Sequence, residues 1–211
     1  LDGQGGNDLL NGNTGNDTLM GGGVNDTLNG NGGDDVISGG TQSDLINGGS
    51  GNDALSGDAG ADTINAGPGN DTLSGGAGDD VLIGSTGRDV MTGGSGEDVF
   101  RFYSTSDSPF GVSTTYDRIT DFQGAGINFT FATEDKIDLS SIDANVNLAG
   151  NQAFVFTGTT SGGAGTIWMQ DVGGETWLRV NTDSDSTPEM TVRIVDGADT
   201  ASDYWAGDFV L

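Results

Sequence analysis

Eleven aspartates stand nine residues apart without a break: Asp8, Asp17, Asp26, Asp35, Asp44, Asp53, Asp62, Asp71, Asp80, Asp89 and Asp98. A strict short period means one small structural unit repeated, and it is read before any local propensity. Repetition lines the carboxylates up in rows, and a row of carboxylates needs a cation. An isolated aspartate most simply satisfies its own backbone in an Asx-turn. Eleven in register do not call for that explanation.

The surrounding residues say how such rows are positioned. Two residues after each aspartate stands one large apolar side chain: Leu10, Leu19, Leu28, Ile37, Ile46, Leu55, Ile64, Leu73, Leu82, Met91 and Phe100. Glycine fills most of the turn before it. The unit is Gly-Gly-X-Gly-X-Asp-X-U-X, with U large and apolar, and its glycines permit the positive φ that a tight turn needs. The last three residues are too short for a free strand but can stack on copies of themselves, apolar residue inward and flanking residues outward. Two repeats make one coil of turn, strand, turn, strand. Loops i and i+2 then lie one strand spacing apart, about 4.8 Å. Aspartate oxygens and backbone carbonyls point into that gap. An all-oxygen set of about six ligands suits Ca²⁺ better than a transition metal or the tighter octahedron of Mg²⁺.

Composition bounds the alternatives. The 211 residues carry 32 acids against 6 bases, a net charge of −26. Such charge opposes compaction and argues against binding nucleic acid or anionic lipid. A disordered acidic tail does not require an apolar residue at every ninth position. Cysteine and histidine are absent, so no disulfide forms and no His-Glu-x-x-His zinc motif exists. No apolar run approaches the length of a membrane span, so membrane insertion is not expected. Catalysis is not expected in these residues. Leu1 already occupies the apolar slot of the repeat, which suggests that the chain is cut from a longer protein with a further N-terminal domain.

The array resembles the RTX family of calcium-binding nonapeptide repeats. That resemblance implies a right-handed parallel β-roll with Ca²⁺ between loops i and i+2. Its ligands would be the eleven aspartates and, through backbone carbonyls, Gly3, Gly12, Gly21, Gly30, Gly39, Gly48, Gly57, Gly75, Gly84 and Gly93. Six odd and five even loops leave nine inter-loop sites at most. Two residues before each aspartate the glycine is lost at Val24 and Gln42. Valine is β-branched and strained at positive φ. If that slot needs positive φ, the turns before Asp26 and Asp44 must change shape, and their shared site should be the weakest.

Residues 1–101 are thus expected to form an all-β roll and residues 102–211 a β-rich cap. Before Phe100 the only base is Arg88; beyond it lie the other five. Strands are expected at 99–103, 117–122, 136–139, 153–157, 166–169, 176–180, 190–195 and 207–211, with 142–148 a short helix or irregular. Gly96-Glu97-Asp98-Val99-Phe100, Tyr116-Asp117-Arg118-Ile119-Thr120-Asp121-Phe122, Asp135-Lys136-Ile137-Asp138-Leu139-Ser140 and Val192-Arg193-Ile194-Val195 resemble the C-terminal domain of serralysin-type proteins. Those proteins are secreted, and their relatives include lipases and alginate epimerases. The resemblance implies type I export from a bacterium, with Asp208-Phe209-Val210-Leu211 as the address read by the secretion machinery. The bland alternative is that these four residues are a last strand.

Some residues fit less securely. Asp117, Asp121 and Asp138 are expected to make local turn bonds or to pair with Arg118 and Lys136. Asp183 and Asp185, in an acidic run closed by Glu189, are either a solvated turn or a weak extra calcium site. Trp168, Trp177 and Trp205 are expected in the core of the cap. Two other functions are weighed. A polyanionic sugar chain, as in an alginate epimerase, needs a basic stripe, and the roll offers only Arg88. An ice-binding or adhesive roll needs a regular outward row of Thr or Asn. The row Gly5, Thr14, Gly23, Gly32, Thr41, Ser50, Ala59, Pro68 is irregular.

Overall fold

The structure is a computed structural model that describes residues 1–109, 116–122, 135–142, 155–156, 164–172, 175–183, 188–195 and 209–210. The array supplies β1 (Leu9–Thr14), β2 (Thr18–Gly23), β3 (Thr27–Gly32), β4 (Val36–Thr41), β5 (Leu45–Ser50), β6 (Ala54–Ala59), β7 (Thr63–Asn65), β8 (Thr72–Ala77), β9 (Val81–Ile83), β10 (Val90–Ser95) and β11 (Val99–Arg101). Beyond it come β12 (Asp117–Ile119), β13 (Lys136–Asp138), β14 (Val155–Phe156), β15 (Thr166–Val172), β16 (Glu175–Asn181), β17 (Met190–Ile194) and β18 (Phe209–Val210). The expected helix or irregular stretch at 142–148 lies, but for Ile142, outside the described residues, as does Trp205.

Successive strands of the array alternate between two parallel sheets, so the fold is an all-β parallel β-roll. One sheet runs β1-β3-β5-β7-β9-β11-β13-β18 and the other β14-β15-β16-β17-β12-β10-β8-β6-β4-β2. Each coil consumes two repeats. Leu10 therefore pairs with Leu28, Leu28 with Ile46 and Ile46 with Ile64, while Leu19 pairs with Ile37, Ile37 with Leu55 and Leu55 with Leu73. All eleven apolar residues are buried. They form two facing ladders, which is what one inward side chain per repeat dictates. A one-residue slip would turn every one of them outward, so the apolar ladder fixes the register.

Both sheets run on past residue 101. Phe100 pairs with Ile137 and Ile137 with Phe209; Met91 pairs with Ile119 and Ile119 with Ile194. The apolar ladders thus pass into the segment beyond the array, where Phe102, Phe122, Leu139, Ile167, Met169, Leu178, Val180, Met190 and Val192 extend the core. There the pattern changes from parallel to antiparallel at β15-β16-β17. Trp168 is buried as expected, whereas Trp177 is half-exposed on the outer face. Among the described residues no helix is long and apolar enough to cross a membrane.

Candidate metal centre

The turns of the array share one backbone form, set by two left-handed positions in ten of the eleven. Four residues before each aspartate φ is positive throughout: Gln4, Asn13, Gly22, Asn31, Gly40, Gly49, Asp58, Gly67, Gly76, Ser85 and Gly94. Two residues before the aspartate it is positive in ten of eleven turns, Gly69 after Pro68 being the exception. Val24 and Gln42 sit in this second slot at φ 77° and 75°, where the glycines run from 101° to 146°. Contrary to the sequence expectation, these turns do not change shape. The stacked neighbours hold both residues in the left-handed helical basin, at a cost of about 1–2 kcal/mol each.

The turns aim each aspartate at the next coil. The backbone N–H of Asp8 donates to Asp26 Oδ1 at 2.7 Å, that of Asp26 to Asp44 at 2.7 Å, Asp44 to Asp62 at 2.7 Å, Asp62 to Asp80 at 2.8 Å and Asp80 to Asp98 at 2.9 Å. The even column repeats this from Asp17 through Asp35, Asp53 and Asp71 to Asp89 at 2.8–2.9 Å. These are bonds between coils, not Asx-turns within one. One oxygen of each carboxylate from Asp26 to Asp98 is thereby spent on the stack.

The other oxygen has no partner. In all eleven aspartates Oδ2 is buried and accepts no hydrogen bond. A buried carboxylate oxygen without a donor or a cation is costly. Ten of the eleven Oδ2 atoms, all but that of Asp71, face the glycine five residues before them. A methyl built on Gly21 would lie 2.5 Å from Asp26 Oδ2 and 2.5 Å from the Gly39 carbonyl oxygen; on Gly3, 2.8 Å from Asp8 Oδ2 and 2.6 Å from the Gly21 carbonyl. The same pairing recurs at Gly12, Gly30, Gly39, Gly48, Gly57 and Gly75. Glycine therefore keeps open a cradle bordered by a carboxylate and a carbonyl of the loop two repeats on. The cradle before Asp44 is built like the others, Gly39 standing 2.5 Å from Asp44 Oδ2 and 2.9 Å from the Gly57 carbonyl by the same measure. The predicted weakness between Asp26 and Asp44 has no counterpart in the geometry. Gly84 and Gly93 face the Oδ2 of Asp89 and Asp98. Ala66 alone puts a side chain in this slot, fully buried.

Burial also moves the carboxyls' titration. It pushes Asp44 and Asp71 up from 3.8 to about 6, Asp80 to about 7 and Asp89 to about 8, and neighbouring carboxylates in each case add to the rise against the backbone N–H bond that lowers it. A cation in the gap would oppose that pressure, as an opposite charge favours the ionised carboxylate. Among the described residues no three acidic side chains gather into a cluster. An ion in the gap would instead take one Oδ2 and backbone carbonyls, an all-oxygen set that fits Ca²⁺.

Sequence reading missed two members of the columns. The N–H of Asp89 donates to Asp117 Oδ1 at 2.8 Å and that of Asp98 to Asp135 Oδ1 at 3.0 Å. Asp117 is wholly buried, with Oδ2 unpartnered like those of the array. Asp117 thus makes neither a local turn bond through Oδ1 nor a pair with Arg118. The available signal was the Asp-X-Ile that both share with the repeats, Asp117-Arg118-Ile119 and Asp135-Lys136-Ile137. Asp121 caps the last turn, accepting from the N–H of Gly93 at 2.9 Å and of Gly94 at 2.8 Å. Asp138 pairs with Arg101 at 2.7 Å, not with Lys136, and also holds the Ser140 N–H. The Asp183 N–H donates to Asn181 Oδ1, and Glu189 closes that turn on Thr182. Asp185 lies outside the described residues.

Residues 1–28, 29–64 and 65–100 match the family model of the RTX calcium-binding nonapeptide repeat (4 copies), so the array is built of RTX repeats, and that family implies Ca²⁺. No curated protein matches the chain. Among solved structures, the chain is similar to the AlgE6R3 subunit of the Azotobacter vinelandii mannuronan C5-epimerase, at 27% identity, covering 84% of this chain and 77% of that one, with a TM-score of 0.44. It is also similar to the AlgE6R2 subunit of the same enzyme, at 27% identity, covering 83% and 91%, with a TM-score of 0.39.

Proposed function

We propose that this chain is the calcium-driven folding module of a larger secreted protein. The observation that carries this reading is the pair of columns of buried Oδ2 atoms, all lacking a partner and all but that of Asp71 facing a glycine cradle. Without calcium the columns repel and their burial is uncompensated, so the acidic array stays open. With millimolar calcium, as outside a cell, ions fill the gaps between Asp8 and Asp98 and the coils stack. An open chain fits a narrow export channel, and folding after exit draws the N-terminal neighbour domain with it. Residues 102–211 serve as a serralysin-type cap to that roll. The likeness of the tail to serralysin-type signals supports export through the type I machinery by Asp208, Phe209, Val210 and Leu211. Phe209 also packs in β18 beside Ile137, so a structural role coexists with the address.

The carboxyl titrations supply a test by ion and pH. A carboxyl raised in the folded state stabilises the metal-free fold fully below about pH 4. That contribution is lost as pH rises through about 6 to 8, the values of Asp44, Asp71, Asp80 and Asp89. Calcium requires the charged form, so protons compete with it over that window. In circular dichroism titrations the calcium midpoint is expected to rise several-fold between pH 8 and pH 5.5, with magnesium ineffective at equal concentration. A midpoint independent of pH, or equal folding by magnesium, contradicts the proposal. For the export address, deleting residues 208–211 from the parent protein is expected to abolish secretion while the calcium-loaded array stays folded. Unchanged secretion would reduce the tail to a last strand.

A further inference from the structure

The arginines that the sequence scatters at 88, 118, 179 and 193 meet on one face of the larger sheet, where the roll passes into the cap. Val90 pairs with Arg118, Arg118 with Arg193, and Arg193 with Trp177 across β10-β12-β17-β16. All three side chains beyond Val90 point outward, because their strand neighbours Asp117, Ile119, Val192, Ile194, Thr176 and Leu178 are buried. Arg118 and Arg193 thus stand opposite each other on adjacent strands, a like-charge pairing of which Glu175 offsets only the Arg193 side. Arg179 stacks 5.0 Å over the Trp177 ring, and Tyr116 lies 4.8 Å from the same ring. In a chain with 32 acids and 6 bases, four bases in one patch is a local inversion of charge.

Three donors in this patch are buried and unpartnered: Arg118 Nε, Arg193 Nε and Trp177 Nε1. Arg193 reaches Glu175 through a terminal nitrogen, which leaves its Nε unused. Beside them is a cavity of about 160 Å³ lined by Arg88, Asp89, Val90, Tyr116, Arg118 and Arg193. A water needs on the order of 10–15 Å³ of such space, so the site has room for a carboxylate and the atoms that carry it. The acid in its wall does not oppose an anion, since the Asp89 carboxylate turns inward, with Oδ1 on the Asp71 N–H and Oδ2 beside Gly84. Glu175 is neutralised by Arg193.

We propose that this junction binds a carboxylate-bearing small molecule, with the planar forks of Arg118 and Arg193 as its clamp and Tyr116 as its apolar wall. A guanidinium fork matches a carboxylate bidentately, and buried, unpaired Nε–H groups are the donors such a contact uses. Arg88, exposed on the turn before β10, closes the rim and draws the anion in. Calcium in the columns favours the site further, because it lowers the negative field an approaching anion must cross.

The test is a titration of the calcium-loaded chain with sodium glucuronate at constant ionic strength, read by the arginine Nε–H and tryptophan indole signals in ¹H–¹⁵N spectra. Saturable shifts of Arg118 and Arg193 at millimolar glucuronate are expected, with none from neutral glucose. Arg118→Gln is expected to weaken binding at least tenfold. Arg88→Gln, on an exposed turn, is expected to weaken it severalfold with the spectrum of the roll unchanged, which keeps the test valid should Arg118→Gln misfold. Shifts that do not saturate, equal shifts from glucose, or binding untouched by both substitutions overturn the proposal. Inorganic phosphate binding more tightly than glucuronate overturns the assignment to carboxylate.

Discussion

Chelating calcium at neutral pH is expected to unfold residues 1–100 and to remove the array's share of the β-sheet spectrum. Each repeat buries one large apolar side chain among nine residues, so the apolar core is thin. Against it stand eleven carboxylates with a buried, unpartnered oxygen. Calcium sites of extracellular type bind with Kd of about 10⁻⁴ to 10⁻³ M. At 1 mM calcium and a Kd of about 0.1 mM, each contributes about 1.4 kcal/mol. Summed over the gaps of two columns this is on the order of 10 kcal/mol, comparable to the whole stability of an ordinary domain. Amide hydrogen exchange checks the expectation residue by residue. The N–H groups of Asp26, Asp44, Asp62 and Asp80, each bonded to the next carboxylate in the column, are protected with calcium and exchange freely in EGTA. Protection in EGTA equal to that in calcium contradicts the account.

The second large effect belongs to a single carboxylate in the middle of a column. Asp62 Oδ1 accepts the Asp44 N–H at 2.7 Å, and Oδ2 faces Gly57, where a methyl would stand 2.6 Å from the Gly75 carbonyl. Asp62→Ala removes both functions. The stranded, buried N–H costs about 1–3 kcal/mol, and loss of one ion about 1.4 kcal/mol more at the concentrations above. A fall of about 3–4 kcal/mol in calcium is expected. Asp62→Asn keeps an acceptor for the N–H but not the charge, so it is expected to cost the ion's share alone. Chemical denaturation of both variants in calcium separates the two contributions. Equal losses for Ala and Asn would mean that the hydrogen bond carries nothing. A loss for Asn no greater in calcium than in EGTA would mean that Asp62 holds no ion.

The roll was legible because its information is periodic. Each Asp-X-U triplet places a carboxylate and an inward side chain at once, and eleven repetitions leave one register in which Leu10, Leu28 and Ile46 align. Strands beyond the array were legible in place but not in partner. Ile119 and Ile137 read as strand residues, yet nothing local says that they continue the ladders of Met91 and Phe100. The same gap hid Asp117 and Asp135. Column spacing jumps from 18 residues to 28 and 37 where the chain leaves the repeat, so periodicity no longer reports the stack. Val24 and Gln42 misled for a different reason. Propensity assigns a cost to positive φ in isolation, whereas here neighbours above and below impose it. The arginine patch was invisible because its members are brought together by cross-strand register, not by sequence proximity.

The most direct test of the central claim, that a calcium ion lies between each pair of stacked loops, is long-wavelength anomalous diffraction from crystals grown in calcium. The account predicts two columns of anomalous peaks, each beside an aspartate Oδ2 and a glycine carbonyl, including one between the loops of Asp26 and Asp44. Well-ordered loops with no anomalous peak beside Oδ2, or with water alone in the gaps, would contradict it.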